Sequence, residues 1–170
     1  MKQVNSSSAN KLSYYISSAL EITDQVPDPE LIRFCKGELV GWYPDNVDDL
    51  NENNLPTHRQ SKVMASLYQI KNVSKYGGGH MSLRNELQGD DRFKEIDFLM
   101  QESVTEIEAT IDKDLGSGGF STIRRNMGDL FRQKSKSNTE IFIYADIGDY
   151  KNVYTRIRTE LIRLLIKVKG

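Results

Sequence analysis

Apolar residues recur at steps of three and four along much of the chain, the spacing that places them on one face of an α-helix. Leu12, Tyr15, Ile16, Ala19 and Leu20 form the first such face, with Asn10 placed to cap it and Tyr14 and Tyr15 widening the stripe. Pro27 and Pro29 bracket Asp28, the pattern of a turn followed by a helix start. Leu31, Phe34, Cys35 and Leu39 then share a face, and Gly37 and Gly41 predict an early stop. Pro56 and Thr57 open a third segment, with Val63, Met64, Leu67 and Ile70 on its buried side, predicted as a helix to about Tyr76. Gly77, Gly78 and Gly79 end it, because consecutive glycines carry too much backbone entropy for a helix.

The most regular stripe is Phe93, Ile96, Met100, Val104, Ile107 and Ile111. It predicts one helix over 91–115, roughly 35 Å long at 1.5 Å per residue. Gly116 to Gly119 break it, and Ser121 or Thr122 would cap a further helix holding Ile123, Met127, Leu130 and Phe131. Lys134 to Asn138 reads as a polar turn. Ile141-Phe142-Ile143-Tyr144 is β-branched and aromatic and predicts a strand, whose partner would be Leu39–Tyr43, the chain end or another molecule. Tyr154, Ile157, Leu161, Leu164 and Val168 give a C-terminal helix, its face thickened by Leu165 and Ile166. The expected fold is mainly α, with α+β as the alternative: a helical bundle around the 91–115 helix with one or more short strands near 140–147. The expected organisation is an N-terminal helical segment 1–76, a glycine linker 77–81 and a C-terminal segment 82–170. The string GGGHM reads either as a natural loop or as an engineered linker with a cloning remnant.

Composition narrows the chemistry. The 170 residues suit one ordinary domain or two very small ones, with 23 basic and 24 acidic side chains. One cysteine, Cys35, excludes an intrachain disulfide and a thiolate metal cluster within one chain. With only His58 and His80 besides, no metal site and no cofactor is predicted. A reducing, cytoplasmic setting is expected. The polar start MKQVNSSSAN has no apolar core of a signal peptide, residues 1–8 read as disordered, and no stretch approaches 18 apolar residues, so no membrane partner is expected.

Charge is unevenly spread. Residues 81–115 carry 10 acidic and 4 basic groups, 124–136 carry 5 basic and 1 acidic, and 151–170 carry 6 basic and 1 acidic. Such segments either pair helices inside a fold or steer a partner. Glu102 and Glu106, like Glu108 and Asp112, share a helical face, and a solvated or ion-paired role is expected for them because acid–base work needs carboxylates in unlike surroundings. Cys35 beside Phe34 is expected to be a small core residue.

Four stretches carry a motif-like spacing. WYPDNVDDLNENN, Trp42 to Asn54, is acidic, yet from Asp45 the sixth position is Leu50 and the twelfth Pro56, which fails the EF-hand pattern. Leu115-Gly116-Ser117-Gly118-Gly119-Phe120-Ser121-Thr122-Ile123 resembles the glycine-rich loop of protein kinases, but Ser121 replaces the third glycine and only 47 residues follow Ile123. A helix–helix linker is the expected role, with anion binding at Arg124 and Arg125 as the alternative. Lys75 and His80 have the K-x-x-x-x-H spacing and resemble the R-x-x-x-x-H motif of HEPN ribonucleases. The resemblance implies phosphate binding by Lys75 and acid–base work by His80. Lysine lacks the guanidinium fork, and three glycines interrupt the motif. Tyr150 to Arg156 interleaves aromatic and basic residues as RNA readers do, with Tyr150 as the unburied ring.

The expected function is therefore that of a small regulatory or inhibitory protein acting through a protein partner. Trp42, Tyr43, Asp45, Asp48, Asp49 and Glu52 would supply the contact surface, as aromatics beside an acidic loop. The alternative is RNA or DNA binding through Arg124, Arg125, Arg132, Tyr150, Arg156, Arg158 and Arg163. Catalysis by Lys75 and His80 comes after both. An oligomer is compatible with either reading.

Overall fold

A computed structural model of the chain describes residues 11–51, 53–67, 89–113, 120–126 and 140–170. It is mixed α+β and divides into two compact units. One comprises Met1–Leu50, Gln101–Ala109 and Tyr154–Gly170; the other comprises Asn51–Met100 and Thr110–Val153.

The first unit is helical. Helix α1 covers Leu12–Ile22 and buries Leu12, Ile16 and Ala19, the expected face. Lys11 stands at its N-cap without a capping side chain, and Asn10 lies outside the described residues. The free amides at this end are satisfied from elsewhere in the chain. Ser13 N–H donates to Glu108 Oε1 at 3.0 Å, and Leu12 N–H donates to the Tyr154 hydroxyl at 3.1 Å. Helix α2 covers Pro29–Val40. Asp28 caps it, accepting from Leu31 N–H at 2.8 Å, and proline at the first position has no amide to leave unsatisfied. The helix runs through Gly37 and stops at Gly41, whose φ of 88° lies where side chains are disfavoured.

Helix α3 covers Val104–Asp112 and opens on a capping box. Ser103 N–H donates to Glu106 Oε2 at 2.8 Å, and Glu106 N–H donates to Ser103 Oγ at 3.3 Å.

The second unit is built on a four-stranded antiparallel sheet. Strands β1 (Gln60–Ser66), β2 (Lys94–Leu99), β3 (Phe120–Asn126) and β4 (Glu140–Asp146) lie in the order β2-β1-β4-β3. Val63 faces Ile96 across β1 and β2, Met64 faces Tyr144 across β1 and β4, and Ile123 faces Ile143 across β3 and β4. Phe93 and Tyr144 meet edge to face with ring centroids 5.6 Å apart. Arg59, fully buried at the end of a 3-10 turn Thr57–Arg59, trades main-chain contacts with Met100: its carbonyl accepts from Met100 N–H at 3.0 Å. Helix α4, Ile147–Lys169, supplies residues to both units, those up to Val153 to the sheet unit and those from Tyr154 to the helical one. Asp146 and Asp149 begin it with reciprocal side-chain-to-amide bonds of 2.9 and 3.0 Å.

Several expectations are corrected. The 91–115 rod does not exist: its first half is strand β2, its second half begins at α3, and residues 100–103 separate them. The helix expected after Pro56 is a 3-10 turn and strand β1, whose residues pair on both sides, and sheet pairing overrides a three-and-four spacing. The described part of the helix expected after Ser121 is likewise strand β3, with β-branched Thr122 and Ile123, while Met127, Leu130 and Phe131 lie outside the described residues. The strand near 140–147 is β4, but it pairs with β1 and β3 and not with Leu39–Tyr43. A division between 1–76 and 82–170 does not separate the units, because β1 lies inside a sheet whose other strands all follow residue 81. The glycine linker itself, 77–81, lies outside the described residues.

Candidate docking groove on the helical unit

The helical unit buries its polar groups in two arrangements. In the first, Glu38 is fully buried and accepts from Trp42 Nε1 at 2.7 Å, while the Arg33 guanidinium lies 5.3 Å from the indole centroid. Cys35, also fully buried, has its thiol pushed up to about 12, first by burial and then by the Glu38 charge, so it has none of the thiolate character of a nucleophile. In the second, Glu108 is 5% exposed and fully engaged: besides Ser13 N–H it accepts from Ser13 Oγ at 2.7 Å and from the Tyr154 hydroxyl at 3.1 Å. Burial raises the Tyr154 hydroxyl pKa, the amide of Leu12 lowers it, and Glu108 raises it further.

Beside this second cluster a groove of about 470 Å3 opens between α1 and α4. Leu12, Tyr15 and Tyr154 line one part, and Leu161, Ile162 and Leu165 another. Among the described residues its one charged lining side chain is Arg158. The volume falls in the range of ligand and peptide pockets. Around it lie unusually exposed apolar side chains: Tyr15 at 49%, Ile162 at 47% and Ile166 at 67%. Exposed apolar side chains that line one groove, as Tyr15 and Ile162 do, mark binding sites more than scattered single residues do.

The cations of α4 divide into two groups. Arg163 is bound to Glu30 and Glu160, and Lys167 to Glu30 at 2.7 Å and Asp28 at 3.2 Å. These contacts hold the Glu30 carboxyl below the usual range, chiefly through Lys167 and Arg163; Asp28 is held low first by the Leu31 amide. Arg158 is exposed and makes no hydrogen bond or ion pair among the described residues.

The residues singled out from sequence are scattered. Trp42 is 1% exposed and closes the core, so it cannot act as a surface anchor. Tyr43 is half-buried, Asp45, Asp48 and Asp49 are exposed, and Glu52 lies outside the described residues. Tyr150 is buried at 2%, which removes it as a base-stacking ring. Arg156 is half-buried, Arg158 and Arg163 are exposed, and the second is committed to its carboxylates. Arg124 and Arg125 lie on strand β3, paired in register with Phe142 and Ile141, and not at a helix start. Lys75, His80, Arg132 and the 115–119 glycine loop lie outside the described residues.

Of the groove, sequence reasoning had Arg158 as a nucleic-acid contact and missed its apolar neighbours. The signal was present: Tyr14 and Tyr15 on α1, and Leu165 and Ile166 on α4, make stripes wider than a single core-facing seam requires. No group of three or more histidine, cysteine, aspartate or glutamate side chains placed to hold a metal occurs among the described residues. None of their helices is long and apolar enough to cross a membrane. No family model, no curated protein and no solved structure matches the chain.

Proposed function

We propose that the chain is a small binding protein that acts through a protein partner seated on its helical unit. The observation that carries this reading is the groove between α1 and α4, apolar along its walls and with Tyr15 and Ile162 exposed in its lining. Burying these side chains under a partner stabilises the complex at roughly 25 cal/mol per Å2 of apolar surface removed from water. The exposed Asp45, Asp48 and Asp49 offer a separate acidic patch that suits a basic rim on such a partner. Nucleic-acid binding has less support, since Tyr150 is buried and Arg163 is already paired.

The test is site-specific photo-crosslinking in cells. A photoreactive phenylalanine at position 162 is expected to give a discrete adduct with another protein, lost when Ile166→Asp is added. The same probe at Lys151, exposed on the sheet unit, should give none. Equal labelling from both positions, or none from 162, refutes the reading.

A further inference from the structure

The chemistry of the groove identifies the kind of partner it fits. Among the described residues its walls are aliphatic and aromatic, and their one charge is the Arg158 guanidinium. The nearby carboxylate, Glu108, is buried, accepts from Ser13 and Tyr154, and is not part of the groove's lining. Those of Asp28, Glu30 and Glu160 are spent on Arg163 and Lys167. The groove is thus apolar with a cationic edge, and no acid of the described residues meets that edge at Arg158. An arginine beside a desolvated surface binds a carboxylate through two parallel N–H bonds, stronger than a neutral hydrogen bond.

We propose that the groove takes an acidic amphipathic helix: a partner segment whose i, i+3, i+4, i+7 apolar stripe lies against Tyr15, Ile162 and Leu165, and whose flanking glutamate or aspartate meets Arg158. This rests on the partner-protein reading above and names the partner's chemistry. A helix fits where a lipid surface does not, because a flat bilayer does not enter a concave groove. The chain's own first ten residues are a poor occupant, since MKQVNSSSAN contains a lysine and no acid. A second copy presenting the same face would bring a second Arg158 and, among the described lining residues, no acid to meet either one.

The experiment is a selection on the intact chain from a displayed library of helical peptides of about four turns. The peptides carry a fixed apolar stripe and randomised flanks. The expected result is enrichment of glutamate or aspartate at one flanking position. Arg158→Glu should weaken the selected peptides about tenfold or more, and a lysine at that flank should restore binding to the variant. Arg158→Gln, with an unchanged circular dichroism spectrum, guards against a folding effect. Peptides that bind, are lost with Ile162→Asp, and show no acidic preference would overturn the acidic-helix assignment and leave the partner reading intact. No selectable peptide, or binding indifferent to Ile162→Asp, would sink both. Self-association dispersed by Ile162→Asp, or retention on phosphatidylserine vesicles in place of peptides, would also overturn the assignment.

Discussion

Gly37→Ala puts the packing of the helical unit to a test whose sign is unusual. In a helix interior, alanine ordinarily stabilises relative to glycine by about 1 kcal/mol. Here the added methyl would lie 2.5 Å from both Cε2 and Cζ2 of Trp42. Ordinary carbon contacts lie at about 3.5–4.0 Å, so the ring must retreat by roughly an ångström. It has little freedom to do so. Trp42 is buried, its Nε1 is tied to Glu38 and Arg33 stacks on its face. Overpacking of a close-packed site costs about 1–3 kcal/mol, and the broken Glu38 bond adds to that because both partners are buried. With about 1 kcal/mol for the lost bond and the helix gain subtracted, the net loss is about 1–3 kcal/mol. Urea unfolding followed by circular dichroism and by the single tryptophan measures it. The same substitution made in a Trp42→Leu background, where the obstacle is gone, should be neutral or stabilising. A Gly37→Ala chain more stable than the parent would refute the placement of Trp42.

Other consequences follow from single sites. Cys35 should resist a thiol reagent at neutral pH, its labelling rate tracking unfolding in urea; rapid labelling of the folded chain would contradict its burial. Asp28 and Glu30 ionise at lower pH in the folded chain than in the unfolded one, so the stability they confer is present above about pH 4.5 and is lost as pH falls through their folded values. Glu30→Gln should flatten that acid limb of a stability–pH profile, and an unchanged limb would remove the contacts with Arg163 and Lys167 as its cause. Ile143→Ala, a fully buried residue on a central strand, should cost about 2–5 kcal/mol by chemical denaturation, and a cost under 1 kcal/mol would place the residue outside the core.

The helices at both ends of the chain were legible because each carries local signals that agree. Asp28 and Pro29 start α2, Gly41 ends it, and the stripe from Tyr154 to Leu164 is long enough to fix the period of α4. Residues 91–115 misled because the stripe from Phe93 to Ile111 spans two elements in phase. Glu95-Ile96-Asp97-Phe98 alternates polar and apolar, and Ser103 to Glu106 spells a capping box, so both the strand and the new start were written there. The central place of β1 could not be read locally. Its pairing with β2 and β4 joins residues far apart in sequence, and no short window contains both partners. The groove was hidden for a related reason. Tyr15 and Ile162 lie on helices at opposite ends of the chain, and only folding of the helical unit makes them line one cavity.

Methyl NMR of the isoleucine- and leucine-labelled full chain offers the most direct measurement of where a partner sits. Titration with a peptide selected for binding should shift and broaden the methyl signals of Leu161, Ile162 and Leu165 first. Those of Ile141 and Ile143 in the sheet should stay in place. Shifts confined to the sheet methyls, with the three groove signals unmoved at saturation, would contradict the docking groove outright.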